Sequence, residues 1–146
     1  MEDNKMTTRQ YLGQAYLLDQ RINSKLMQLS LLRNNALNIT ANLKDINVQT
    51  SGDNTKMENA VLKIMQQERE IDDEIDRLVD LKAEIRKAIA KVQNIEYRLL
   101  LELRYLCFQS WEEIAVRMGY SIDYVFKVHR KALEMVEVPQ GDTVQK

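Results

Sequence analysis

Lys127, Arg130 and Lys131 sit three and one residues apart in the run "SIDYVFKVHRKAL", just after Ser121, Asp123 and Tyr124. On a helical wheel at 100° per residue, Val125, Val128, Ala132 and Val136 form one stripe, widened by Ile122, Phe126 and Leu133. Asp123, Tyr124, Lys127, Arg130, Lys131 and Glu134 gather on the opposite arc. Long cationic side chains are hydrogen-bond donors for guanine edges and phosphates. Short polar ones add acceptors, and a tyrosine adds a hydroxyl on a flat ring. Such an arc suits contact with double-stranded DNA. Lysine and arginine also populate any solvated helix face, so the neighbouring sequence must decide between the two.

The neighbouring sequence has a specific grammar. Ser110-Trp111-Glu112-Glu113 is an S-x-x-E capping box and predicts a helix from Trp111. Gly119 suits a left-handed C′ position, where a Cβ is strained. Ser121 suits the next N-cap, with Asp123 in a first turn that favours negative charge. The result is a helix of about eight residues, a turn of about three and a second helix to roughly Val136, which is a helix-turn-helix unit. Ala115 lies four residues before Gly119 and lets the helices cross closely. Val125 and Val128 are placed to point back onto Ile114 and Met118. Alanine, turn glycine and aliphatic at these offsets is the pattern of DNA-binding helix-turn-helices. Residues 94–137 are therefore read as a DNA-binding module.

The segment "EYRLLLELRYLCFQSWEEIAVRMGYSIDYVFKVHRKALEMV" resembles region four of bacterial sigma factors. It is similar also to small sigma-like regulators of phages and prophages in Gram-positive bacteria, the RinA-like activators of late transcription. The resemblance is strongest over residues 95–136. It implies an all-α module that grips promoter DNA. Ser121, Asp123, Tyr124, Lys127, Arg130 and Lys131 match the DNA-facing side of the family's recognition helix. Ile114, Ala115, Gly119, Val125 and Leu133 match its scaffold. Sigma factors usually carry more arginine at the start of this helix, where this chain has Ile122, Tyr124 and Phe126.

Two long amphipathic segments precede the module. From about Thr7 to about Thr40, Ala15, Ile22, Leu29 and Ala36 recur every seven residues, with Leu18, Leu32 and Ile39 beside them. From about Lys56 to about Gln93 the heptad runs Met57, Ile64, Ile71, Leu78, Ile85, Val92. Val61, Ile75 and Ile89 fill a second seam, interrupted by Glu68 and Lys82. A repeat sustained over about five heptads is a coiled-coil signal. Thr55-Lys56-Met57-Glu58, a second capping box, marks a helix start there. A polar loop at about 43–55 lets the two helices fold back on each other. The fold class expected is all-α: a long coiled-coil helical hairpin over 1–93, the helix-turn-helix module, then a polar tail at 138–146. An amphipathic helix this long cannot bury its stripe alone. The seams pack within one chain or on a second copy, and a hairpin that forms a homodimer is the expectation.

Composition sets the remaining bounds. One proline, four glycines, 6% aromatic and 29% charged residues favour long helices over a sheet. The single cysteine, Cys107, excludes an intramolecular disulfide and is expected as a packed residue of a helical run, in a reducing compartment. A polar N-terminus and the lack of a long apolar run predict a protein of the bacterial cytoplasm with no membrane contact. One histidine and one cysteine do not make a zinc site, and no metal or cofactor is expected. The sole histidine, His129, falls near the core-side edge of the second helix. The acidic run at 68–76 follows the polar faces of a heptad helix and reads as solvated. No nucleophile–base pair or glycine-rich phosphate loop is present, so no enzyme is expected.

Net charge is −1, and from Asn94 onward seven Lys and Arg face eight Asp and Glu. The bulk field does not draw in nucleic acid. DNA affinity must come from the local cluster at 127–131, from avidity in a dimer, or from a contact with host RNA polymerase. Two other readings stay open. A small terminase subunit would pair the same DNA-binding unit with a ring-forming helical core. A pure interaction module would dock its basic face on RNA polymerase or a repressor and never touch DNA.

Overall fold

The computed structural model describes residues 6–46 and 51–139. The described residues form five helices and no strand: α1 Thr8–Ile46, α2 Ser51–Ala90, α3 Ile95–Tyr105, α4 Trp111–Met118 and α5 Ile122–Glu134. The expected all-α class holds, with a long helical hairpin followed by short helices.

Both long helices overrun the expected loop. α1 continues to Ile46 and α2 begins at Ser51, so helix takes over 43–46 and 51–55. Residues 47–50 lie outside the described residues. No proline interrupts either flank, and a helix propagates readily once its neighbouring turns are formed. Thr55 therefore lies inside α2 instead of capping its start. The polar tail expected at 138–146 is described only through Pro139, and Val138 packs on the core.

The chain divides into two compact units. One comprises residues 18–77, the distal part of the hairpin. Its buried apolar side chains are Ile22 and Leu29 of α1 and Ile71 of α2, all on the expected heptads. The seam thus closes on the partner helix of the same chain. Cross-helix ion pairs flank it: Arg33 to Glu68 at 2.5 Å, and Arg21 and Lys25 to Glu74 at 3.0 and 2.8 Å. The pairing of low α1 numbers with high α2 numbers shows that the helices are antiparallel. Glu74 departs from the solvated reading of the acidic run. It is 6% exposed at a core-facing position of the seam. The Lys25 hydrogen bond, reinforced by Arg21, holds its carboxyl below the usual range against the opposing cost of burial.

The other unit joins residues 1–17 to 78–146. Its larger core brings together Tyr11, Leu12 and Ala15 of α1, Ile85, Ala88 and Ile89 of α2, Leu101 and Tyr105 of α3, and Ala132 of α5, with Val92 and Val136. The three short helices thus share a core with the hairpin's free ends and do not stand apart from it at residue 93. Arg98 secures the α2–α3 junction, donating from Nε to the Val92 carbonyl at 2.9 Å and from a guanidinium nitrogen to the Gln93 carbonyl at 3.3 Å. Asn94 caps α3 through its side-chain oxygen, which accepts from the Tyr97 amide.

Cys107 is exposed, contrary to the expected packed position. α3 ends at Tyr105, and Phe108 takes a left-handed backbone with φ 58°. The chain turns away before the apolar run is complete.

Candidate functional site

The local grammar between Ser110 and Glu134 forms as the residue types require. Ser110 Oγ accepts from the Glu113 amide at 3.1 Å, while the Glu113 carboxylate accepts from the Ser110 amide at 2.8 Å. Both halves of the capping box are present. α4 stops at Gly119, left-handed with φ 73° and ψ 33°, and the Tyr120 amide donates to the Ala115 carbonyl at 2.9 Å. Ser121 Oγ then caps α5 by accepting from the Tyr124 amide at 3.2 Å. α5 ends at Glu134, one half-turn short of the expected Val136.

A Cβ at Gly119 meets no atom within 4 Å, so backbone strain alone decides a substitution there. Gly119→Ala is expected to cost about 1–2 kcal/mol of stability, the strain of a left-handed non-glycine residue. Gly119→Asn, whose side chain tolerates this region, is expected to cost less. Urea denaturation of the two variants checks the order, and equal stability of Ala and Gly would show that the turn is not left-handed.

A second core cluster holds the two helices together. Ile114 and Ala115 of α4 pack with Val125 and Val128 of α5 and with Leu100 and Leu103 of α3. Met118, Tyr120 and Ile122 close its edges. Further along α5, Ala132 passes into the larger core, with Leu133 packed against it. Burial of Val125, Val128 and Ala132 fixes the rotation of α5 and thereby decides what it presents outward.

What it presents are the residues expected from the sequence. Ser121, Asp123, Tyr124, Lys127, Arg130 and Lys131 are all exposed. Lys127, Arg130 and Lys131 make no ion pair or side-chain hydrogen bond among the described residues, so their charges are uncommitted. Tyr124 is held edge-on by Tyr120, ring centroids 4.8 Å apart, and Tyr120 is bonded in turn to Glu96. Phe126, expected toward the core, is 38% exposed and rests its edge on Trp111 at 5.4 Å. The outward face of α5 therefore carries three free cations and two partly exposed aromatic rings.

His129 is fully internal, not at the edge of the core face. It is 1% exposed and shares a 2.7 Å hydrogen bond with the Tyr105 hydroxyl. The Trp111 ring meets it edge-on at 4.6 Å. Burial, then the cationic Arg9, Arg104 and Arg130 around it, push its pKa down to about 4. The imidazole is neutral at pH 7. Burial raises the Tyr105 phenol, against the opposing pull of Arg9 and Arg104, so that group is neutral too. His129 is thereby a polar strut between α5 and α3. Arg9, Arg104 and Trp111, which surround it, carry no local sequence signal, because only tertiary packing brings α1 against the α3–α4 turn.

No described helix is long and apolar enough to cross a membrane. The family model described as "Protein of unknown function (DUF1492)" matches residues 39–137, and the chain belongs to that family. The match takes in all of α2 through α5. No curated protein and no solved structure matches the chain.

Proposed function

We propose that this member of the DUF1492 family is a sequence-specific DNA-binding transcriptional regulator of phage origin, an activator of late genes. α4 and α5 act as a helix-turn-helix of the sigma-region-four kind, with α5 in the major groove of promoter DNA. The observation that carries the reading is the α5 face: its burial pattern turns Lys127, Arg130 and Lys131 outward, unpaired, with Ser121, Asp123 and Tyr124 around them. Lys127 and Arg130 read base edges, Lys131 holds a phosphate, and Tyr124 flanks the backbone. The hairpin supplies dimerisation through the exposed stripe of α2 that includes Val61, Met65 and Ile75, since the buried seam is already occupied by α1. Host RNA polymerase is the second partner, because the near-zero net charge leaves DNA affinity to local contacts.

The test begins with selection of a binding site from a random duplex library. Lys127→Ala, Arg130→Ala and Lys131→Ala are then titrated on that site between about 50 and 200 mM salt, where the phosphate contribution changes steeply. Lys131→Ala is expected to lower the salt slope by about 0.9, the signature of one lost phosphate contact. Lys127→Ala and Arg130→Ala are each expected to cost about 1–3 kcal/mol and to relax the preference at one base pair. Binding unchanged in all three would overturn the reading and favour a protein-docking module. A ring of many copies in solution, instead of a dimer, would favour a packaging role.

A further inference from the structure

A cavity of about 580 Å³ opens between the first turns of α1 and the α3–α4 turn. Arg9, Gly13, Tyr16, Arg104, Phe108 and Trp111 line it. Its size falls in the range of small-molecule sites, roughly 300–1,000 Å³. The walls are flat rings: Tyr16 and Phe108 meet edge-to-face at 5.5 Å, and the Arg104 guanidinium lies 4.1 Å from the Trp111 ring centre. Arg104 spends one N–H on the Gln109 carbonyl at 2.9 Å, which fixes the guanidinium and leaves further donors. Neither Arg9 nor Arg104 is in an ion pair among the described residues.

Two features of the lining work against local stability. Gly13 is inside α1, where glycine costs about 0.5–1 kcal/mol relative to alanine. Yet a Cβ at Gly13 meets nothing within 4 Å, so packing within the protein does not demand a glycine. On the same helix face, Arg9 and Tyr16 lie one turn before and one turn after Gly13. Phe108 keeps a left-handed backbone although it is not glycine. That strain is of the kind that accumulates around ligand clamps. Both costs fall on residues that shape this one cavity.

We propose that the cavity is a binding site for a small planar aromatic acid. The ring seats between the Tyr16–Phe108 pair and Trp111, and the carboxylate takes the N–H donors that Arg9 and Arg104 have left, Arg104 being already bonded to the Gln109 carbonyl. Glu113, the one carboxylate of the lining, is committed to the Ser110 amide. Two arginines line the cavity against this one glutamate, and the Lys82 ammonium lies 4.7 Å from the Phe108 ring centre, so the site is net cationic and suits an anion. The site stands independently of whether α5 contacts DNA.

The experiment is calorimetric titration of the full chain with 1-naphthoate. 1-Naphthalenemethanol serves as the neutral isostere and acetate as the acid without a ring. One saturable site per chain is expected, with naphthoate at least about tenfold tighter than either control, the scale of one charge-assisted bidentate contact. Arg9→Gln, at an exposed position, is expected to weaken naphthoate by about tenfold or more. Gly13→Leu is expected to abolish binding by filling the cavity while the helical signal is kept, since leucine is the better helix former. The proposal is overturned if naphthoate does not bind, if the alcohol binds equally well, or if both variants bind as the parent does.

Discussion

Ile71→Lys is expected to unfold the hairpin unit at residues 18–77, with a loss of more than about 4 kcal/mol. Two contributions add. Removing a buried isoleucine side chain costs roughly 2–5 kcal/mol. Placing an ammonium where Ile71 now sits, 3% exposed, adds the desolvation of an unpaired charge. Glu74, one turn away, already offsets two cations, Arg21 and Lys25, through Oε2, so a third ammonium has only its remaining oxygen to turn to. A two-helix unit with so few fully buried side chains has little stability in reserve. Ile75→Lys is the matched control. It lies one turn further on, 39% exposed on the second stripe, and is expected to change stability by less than about 0.5–1 kcal/mol. Far-UV circular dichroism during urea denaturation separates the two. Equal unfolding midpoints would show that the Ile71 seam is not the packed one. The same pair locates self-association. If the chain dimerises through the exposed stripe, Ile75→Lys lowers the solution mass to one chain without unfolding it.

The reach of the sequence can be traced through particular residues. The heptad of Ile22, Leu29, Ile71 and Ile85 was legible because helix periodicity is local and every one of these positions is buried. The α4–α5 turn was legible for the same reason: Ser110, Gly119 and Ser121 act on amides and dihedrals within four residues of themselves. Which partner a seam selects is not local information. Ile71 reads the same whether it faces α1 or a second copy. Glu74 misled because a carboxylate in a heptad normally marks solvent, and only Lys25 and Arg21, 49 and 53 residues away, make its burial tolerable. Cys107 misled because the apolar run continues past the end of α3, and the left-handed Phe108 that diverts it has no glycine or proline to announce it. The cavity was invisible to the sequence because Arg9 and Arg104 are brought together only by the packing of Leu12 and Ala15 with Leu101 and Tyr105. The burial of His129 is written in the wheel itself. This residue lies 40° from Val125 and 20° from Val136 at 100° per residue, squarely within the buried arc.

That burial leads to the second large effect: the protein should lose stability on mild acidification, through one histidine. His129 titrates at about 4 in the folded chain, against an unperturbed value near 6.5, so the unfolded chain binds more protons between those limits. The His129 contribution to stability is therefore fully present above about pH 6.5, falls as the pH drops, and levels off once the pH is below about 4. A displacement of this size corresponds to about 3 kcal/mol over the whole window, at about 1.36 kcal/mol per pH unit. The structure supplies the reason. A protonated His129 stays inside the core beside Arg9, Arg104 and Arg130, and its Nε2 can then only donate in the hydrogen bond it shares with the Tyr105 hydroxyl. Glu74 does not confuse the measurement above its ordinary range. Its depressed carboxyl contributes stability that is present above about pH 4.5 and is lost only below it. The decisive window is thus pH 4.5–6.5, followed by urea denaturation at closely spaced pH values. His129→Gln keeps an acceptor for the Tyr105 hydroxyl and cannot titrate. It is expected to be less stable than the parent at pH 7 and nearly flat across the window. A parent curve parallel to that of the variant would show that His129 is not the group that couples protons to folding. A parent slope that vanishes in the variant would establish His129 as the group that couples protons to folding.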